Sequence, residues 1–105
     1  MLSYAIQKSF EQDCSRLYTL EELARQYSIS PSSLSHQFKK LTGASVMGYL
    51  LSCRMASAKH YLTATNAGIA EIVEKCGFSD SSNFSRTFKK RNGISPTEFR
   101  NRYRA

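Results

Sequence analysis

The 105-residue chain predicts an all-α fold in which one helical unit is used twice. Apolar residues recur at helical spacing along almost the whole length, with no sustained β-branched alternation. The two prolines, Pro31 and Pro96, each follow a serine, which is how a capped helix begins rather than how one breaks. A block of residues also returns 50 positions later. These observations predict seven helices in one domain over residues 1–105: a first helix-turn-helix unit at 1–45, a linker helix at 46–63 and a second unit at 64–105.

The first helix, about Ser3 to Cys14, carries Ile6, Phe10 and Cys14 on one side. The second begins after Thr19, where Glu22 three residues on completes a capping box. Its apolar face is Leu20, Leu23, Ala24 and Tyr27. After the turn Ser28-Ile29-Ser30, a third helix starts at Pro31 and stops at Gly43, with Leu34, Phe38 and Leu41 as its expected buried stripe. The linker segment from Val46 to about Thr63 is marked by Val46, Tyr49, Leu50, Cys53, Ala58, Tyr61 and Leu62. Ala64–Gly68 reads as a loop, and Ile69, Ile72, Val73 and Cys76 as a short helix ending at Gly77. A helix from Asp80 to Asn92 buries Phe84 and Phe88 and closes at Gly93; a last one, capped by Ser95 in SPTE, carries Phe99 and Tyr103.

Composition narrows the function. Lys and Arg outnumber Asp and Glu by 15 to 8, a net charge of +7 with a pI near 9.6. Residues 1–52 hold five basic against four acidic side chains, and residues 53–105 hold ten against four. Such an excess favours a polyanionic partner. Neither a membrane-length apolar run nor a signal peptide is visible, and no membrane partner is expected. Cys14, Cys53 and Cys76 are odd in number and widely spaced, fitting neither a disulfide framework nor a zinc motif. The expected setting is reducing and cytoplasmic. His36 and His60 lack a carboxylate or Cys at usable spacing, so no enzyme and no cofactor is expected.

The repeat is the most informative feature. Leu34, Ser35, Phe38, Lys39, Lys40, Gly43 and Ser45 return 50 residues on as Phe84, Ser85, Phe88, Lys89, Lys90, Gly93 and Ser95. Before the turn the offset is 49, so the second turn is one residue longer. Each unit is a short helix, a tight turn and a second helix apolar on one side, the outline of a helix-turn-helix. A duplicated hairpin that only builds a core has the same outline. The polar sides of the second helices distinguish the two readings. One shows Ser32, Ser35, His36 and Lys39; the other shows Ser81, Ser82, Ser85, Arg86 and Lys89, with Asn83 beside them. Serines lower helix propensity, and a purely solvated helix would favour Glu, Lys and Gln. Short polar groups with a few long donors suit close approach to base edges in a major groove. Lys39, Lys40, Lys89 and Lys90 then flank as phosphate contacts, or serve solubility alone.

The stretch Gly77–Arg100, GFSDSSNFSRTFKKRNGISPTEFR, resembles the C-terminal signature of the AraC/XylS transcription regulators. Leu23-Ala24, Ser30-Pro31, Leu34, Phe38-Lys39 and Gly43 match in the first unit, and Tyr49, Arg54, Ala58 and Leu62 in the linker. The resemblance spans about residues 5–104. It implies two recognition helices docked in successive major-groove segments of double-stranded DNA, with transcription activation as the commoner role. It places base readers at Ser32, Ser35 and His36, and at Ser81, Ser82, Asn83, Ser85 and Arg86. Arg86 is the candidate for a guanine contact, worth ~1–3 kcal/mol if bidentate; a phosphate contact or an ion pair with Asp80 are its alternatives. His36 stands where a longer Arg is common, Asn83 where an aromatic is common, and Val73 where Ala is usual. RNA polymerase, and an N-terminal sensing or dimerisation domain outside these residues, are the further partners it implies. The chain is expected to be either the DNA-binding part of a longer regulator or a stand-alone member.

A non-specific nucleic-acid binder and a helical protein-interaction module remain as rivals. The last helix, with Arg100, Arg102 and Arg104, is the nearest approach to a membrane-surface helix, but it is short. The aromatics fall on core stripes, not on stacking platforms of the kind RNA readers present. If the linker helix holds the two readers at a fixed spacing, inserting half a helical turn of DNA between the half-sites abolishes specific binding. A gel-shift series of spacer lengths checks this, and tolerance of the insertion would refute the rigid linker.

Overall fold

The computed structural model describes residues 2–104; Met1 and Ala105, the ends of the predicted domain span, lie outside the described residues. Its elements are α1 (Leu2–Gln12), α2 (Leu20–Gln26), α3 (Pro31–Thr42), α4 (Val46–Ala64), α5 (Ile69–Cys76), α6 (Ser81–Asn92) and α7 (Pro96–Tyr103), with no strand among the described residues. Side-chain caps set most of the starts. Thr19 accepts a hydrogen bond from the Glu22 N–H, Ser30 from Ser33, Asp80 from Asn83 and Ser95 from Glu98. Each satisfies a backbone donor that the first turn leaves without a partner.

The chain divides into two units, Met1–Cys53 and Arg54–Ala105, with the division inside α4. The span expected as a linker therefore gives its first half to one core and its second half to the other. In the first unit the core is Ile6 and Phe10 of α1, Leu23 and Ala24 of α2, Leu34 and Phe38 of α3, and Val46 and Leu50 of α4. The Tyr49 ring meets Phe10 at 6.4 Å and Phe38 at 5.8 Å between centroids. The Tyr18 hydroxyl donates to the carbonyls of Ser9 and Asp13 at 3.1 and 2.8 Å, closing the C-terminal end of α1.

In the second unit Met55, Ala58 and Leu62 of α4 are buried, with Ile72, Val73 and Cys76 of α5 and Phe84 and Phe88 of α6. Phe78, Phe84, Phe88, Phe99 and Tyr103 form a run of ring contacts with centroid spacings of 4.7 to 5.8 Å. Arg100 closes the end of α4. Its Nε donates to Leu62 O at 3.0 Å, and Nη2 lies 3.3, 3.3 and 2.7 Å from the carbonyls of Tyr61, Thr65 and Ala67. One guanidinium thus serves both the last turn of α4 and the following loop.

Four expectations change. Leu41 is 59% exposed: it stands in the last turn of α3, lining only a shallow crevice with Leu2, and its repeat counterpart is Arg91. Tyr103 meets the Phe99 ring in a tilted contact, 4.7 Å between centroids, but stays 55% exposed. Met55, absent from the expected stripe of α4, is buried. Arg100 turns inward, which removes it from any basic outer face of α7.

The helix-turn-helix turns are built alike. Ile29 N–H donates to Ala24 O and Ser28 N–H to Arg25 O; Phe78 N–H donates to Val73 O and Gly77 N–H to Glu74 O. The bonds correspond at the offset of 49, which places the extra residue of the second turn, Ser79, after Phe78. Both turns need one left-handed residue, Ser28 at φ 59 and Gly77 at φ 81. Serine adopts that conformation at a cost glycine avoids. Ser28→Gly is expected to stabilise the protein by about 0.5–1 kcal/mol, and Gly77→Ala to destabilise it by about 1 kcal/mol or more. Arg100→Ala is expected to cost about 3 kcal/mol, and Arg100→Lys most of that, because an ammonium cannot span four carbonyls. Urea unfolding followed by circular dichroism measures each.

Candidate nucleic-acid interface

The interface begins with residues that never reach it. Leu34 and Phe38 on α3, and Phe84 and Phe88 on α6, are at most 1% exposed. Burying these pairs, spaced by one turn, fixes the roll of each helix and turns the opposite side to solvent. The caps at Ser30 and Asp80 fix where each helix starts, and Pro31 opens α3 at a position where its missing N–H is no loss.

On α3, Ser32, His36, Lys39 and Lys40 are exposed and Ser35 is half-buried. All five predicted contact residues of this unit line one open groove of about 610 Å³, together with Leu20 and Pro31. Those two apolar members were not anticipated. The sequence pattern marks Pro31 only as a helix start and Leu20 only as core, yet Pro31 is exposed and Leu20 half-buried.

On α6, Ser81, Ser82, Arg86, Lys89 and Lys90 are exposed, and Asn83 and Ser85 are half-buried. Asp80 spends a carboxylate oxygen on the Asn83 N–H at 2.7 Å, and Arg86 makes no ion pair among the described residues. The ion-pair alternative for Arg86 thus has no support in the structure. Asn83 differs from its neighbours. Its Nδ2 donates to Ser79 Oγ at 3.0 Å, and its Oδ1 accepts from Thr87 Oγ1 at 3.4 Å. The counterpart position in the first unit, Ser33, is likewise engaged, accepting from Gln37 Nε2 at 3.1 Å. Comparing the two copies at that position would have set Asn83 apart from the exposed serines.

Charge follows the same geometry. Lys39 and Lys40 end α3, and Lys89, Lys90 and Arg91 end α6, where cations also complement the partial negative charge of a helix C-terminus. Among the described residues no group of three or more His, Cys, Asp and Glu is placed to hold a metal ion. Nor is any helix among them long and apolar enough to cross a membrane.

Comparison with known proteins identifies the fold. A family model described as "Helix-turn-helix domain" matches residues 23–102. The arabinose operon regulatory protein of Escherichia coli (strain K12) is 40% identical over 83 residues, covering 79% of this chain and 28% of that protein. The HTH-type transcriptional activator RhaR of Mannheimia succiniciproducens is 34% identical over 95 residues, covering 90% of this chain and 34% of that protein. Among solved structures, the C-terminal domain of AraT, a response regulator from Geobacillus stearothermophilus, superposes with a TM-score of 0.93 at 30% identity, over 99% of this chain and 87% of that one. The chain spans only about a third of the length of these two curated relatives. With seven helices among the described residues, two matching turns and a family match over most of its length, the chain belongs to the AraC/XylS family of transcription regulators and carries their helix-turn-helix domain.

Proposed function

We propose that this chain binds double-stranded DNA sequence-specifically, placing α3 and α6 in successive major-groove segments. The observation that carries the reading is the arrangement of α3. Ser32, Ser35, His36, Lys39 and Lys40 share one open groove directly opposite two fully buried anchors. Short hydroxyls near the helix start allow close approach, and longer donors further along reach base edges or phosphates. α6 repeats the pattern with Ser81, Ser82, Ser85 and Arg86 as readers and Lys89 and Lys90 as phosphate contacts. Asn83 acts there as a brace for the helix start, because its carboxamide is already engaged at both ends. The protein acts as a transcription regulator, with activation the favoured polarity, in the cytoplasm. RNA polymerase and an N-terminal sensing or dimerisation domain are its further partners in this reading.

Selection from a random duplex pool of about 25 base pairs at ~0.15 M salt tests it. The expected result is an asymmetric motif with two information-rich patches about one turn apart. Preference over mixed DNA is expected to reach at least ~10³-fold. Retention of bulk DNA without enrichment would leave a non-specific binder, and no retention would leave an interaction module.

On the selected site, Arg86→Ala is expected to lose ~1–3 kcal/mol and to relax preference at one base pair. Lys89→Ala is expected to weaken all sequences alike and to reduce the slope of log K against log salt by about one unit. Titrations at several salt concentrations separate the two behaviours.

A further inference from the structure

Two cysteines of the first unit play no part in the DNA-facing surface. Cys14 lies in the loop after α1, and Cys53 lies on α4. Both are half-buried, and both pack against the same core cluster of Ile6, Phe10 and their neighbours. The segments carrying them are pinned together. Tyr49 Oη donates to Glu11 Oε2 at 3.1 Å, and the Tyr49 ring meets Phe10. Cys14 follows Glu11 by three residues, and Cys53 follows Tyr49 by one helical turn.

We propose that Cys14 and Cys53 form a reversible dithiol–disulfide site, oxidised by low-molecular-weight disulfides. The Cys14 sulfur, as thiolate, attacks one sulfur of the external disulfide RSSR. The S–S bond breaks and the first RS⁻ leaves, taking up the Cys14 proton. The Cys53 sulfur then attacks the Cys14 sulfur of the mixed disulfide, and the second RS⁻ leaves with the Cys53 proton. Two protein thiols are oxidised to one disulfide, and one external disulfide is reduced to two thiols. The order of roles follows from the surroundings of Cys53. Burial first, then the neighbouring Cys14 and Glu11, push its thiol up, which disfavours a first attack by Cys53 on the external disulfide; it attacks second, on the adjoining mixed disulfide, giving up its proton as it does so. Cys76 takes no part: it is buried in the second unit, with its Sγ 3.6 Å from Ser57 Oγ. The bridge would close a loop between α1 and α4, leaving the outer face of α3 untouched.

The test incubates the whole chain with oxidised glutathione near neutral pH. It reads free thiols, intact mass and disulfide-linked peptides. The expected result is loss of two of the three thiols with no retained glutathione, a Cys14–Cys53 peptide, and reversal by dithiothreitol. The oxidised form is expected to unfold at a temperature at least ~5 °C higher than the reduced form. Cys53→Ser is expected to trap glutathione on Cys14, and Cys14→Ser to prevent both products. A glutathione adduct that persists on Cys14 of the unsubstituted chain would overturn the proposal. So would disulfide-linked dimers, or three thiols surviving the treatment. These outcomes on the unsubstituted chain decide the matter even where a variant folds poorly.

Discussion

The direction in which α3 and α6 face is set by one requirement: each must bury an aromatic side chain one turn after another large apolar one. Leu34 and Phe38 do this in the first unit, and Phe84 and Phe88 in the second. With those pairs sealed in the core, neither helix can roll without exposing a phenylalanine, a loss of about 2 kcal/mol or more. The positions left outside are then fixed by the 3.6-residue period. The chemistry of the interface is therefore a consequence of packing behind it. Serines that weaken an isolated helix are tolerated because the buried face holds the helix in place.

The two units reach the same arrangement by different local means. Each must close the end of its first helix against a loop. The first does so with the Tyr18 hydroxyl, which serves two carbonyls; the second uses the Arg100 guanidinium, which reaches four. The repeat counterpart of Arg100 is Leu50, an apolar core residue only 1% exposed. A charged fork and an isobutyl group thus occupy equivalent positions, which shows how far the copies have diverged beneath a shared backbone plan. The turn residues differ in the same way, with serine bearing at Ser28 the left-handed geometry that Gly77 adopts without strain.

Much of this was legible in the sequence because it depends on local rules. The caps at Thr19, Ser30 and Ser95 and the stops at Gly43 and Gly93 follow from residues within one turn of each other, and the repeat offsets from laying one half of the chain over the other. What was not legible depends on neighbours distant in the chain. Leu41 shares the apolar spacing of Leu34, but the start of α1 covers it only in part, leaving it 59% exposed. Met55 was missed because α4 serves two cores. The stripe of Val46 and Leu50 does not run on into Met55, Ala58 and Leu62, since a step of five residues changes the helix face. Arg100 looked like a surface charge because composition cannot reveal four carbonyls waiting at the end of another helix. The engagement of Asn83 was not legible either, because its partners, Ser79 before the cap and Thr87 one turn further along α6, are ordinary polar residues that the pattern does not mark.

The same geometry makes the two interfaces chemically unequal. His36 and Arg86 occupy equivalent exposed positions, but a guanidinium presents five donors in a planar fork and an imidazole far fewer. α6 ends in three cations where α3 ends in two. Around α3 the groove also includes Leu20 and Pro31, apolar groups that can contact a thymine methyl but cannot donate a hydrogen bond. In the proposed mode of binding the second unit thus brings the larger set of charge-assisted donors, and the first adds apolar groups to its own. In the proposed mode of binding, a duplicated fold whose copies keep the same buried anchors while their outer residues diverge suits two unlike half-sites.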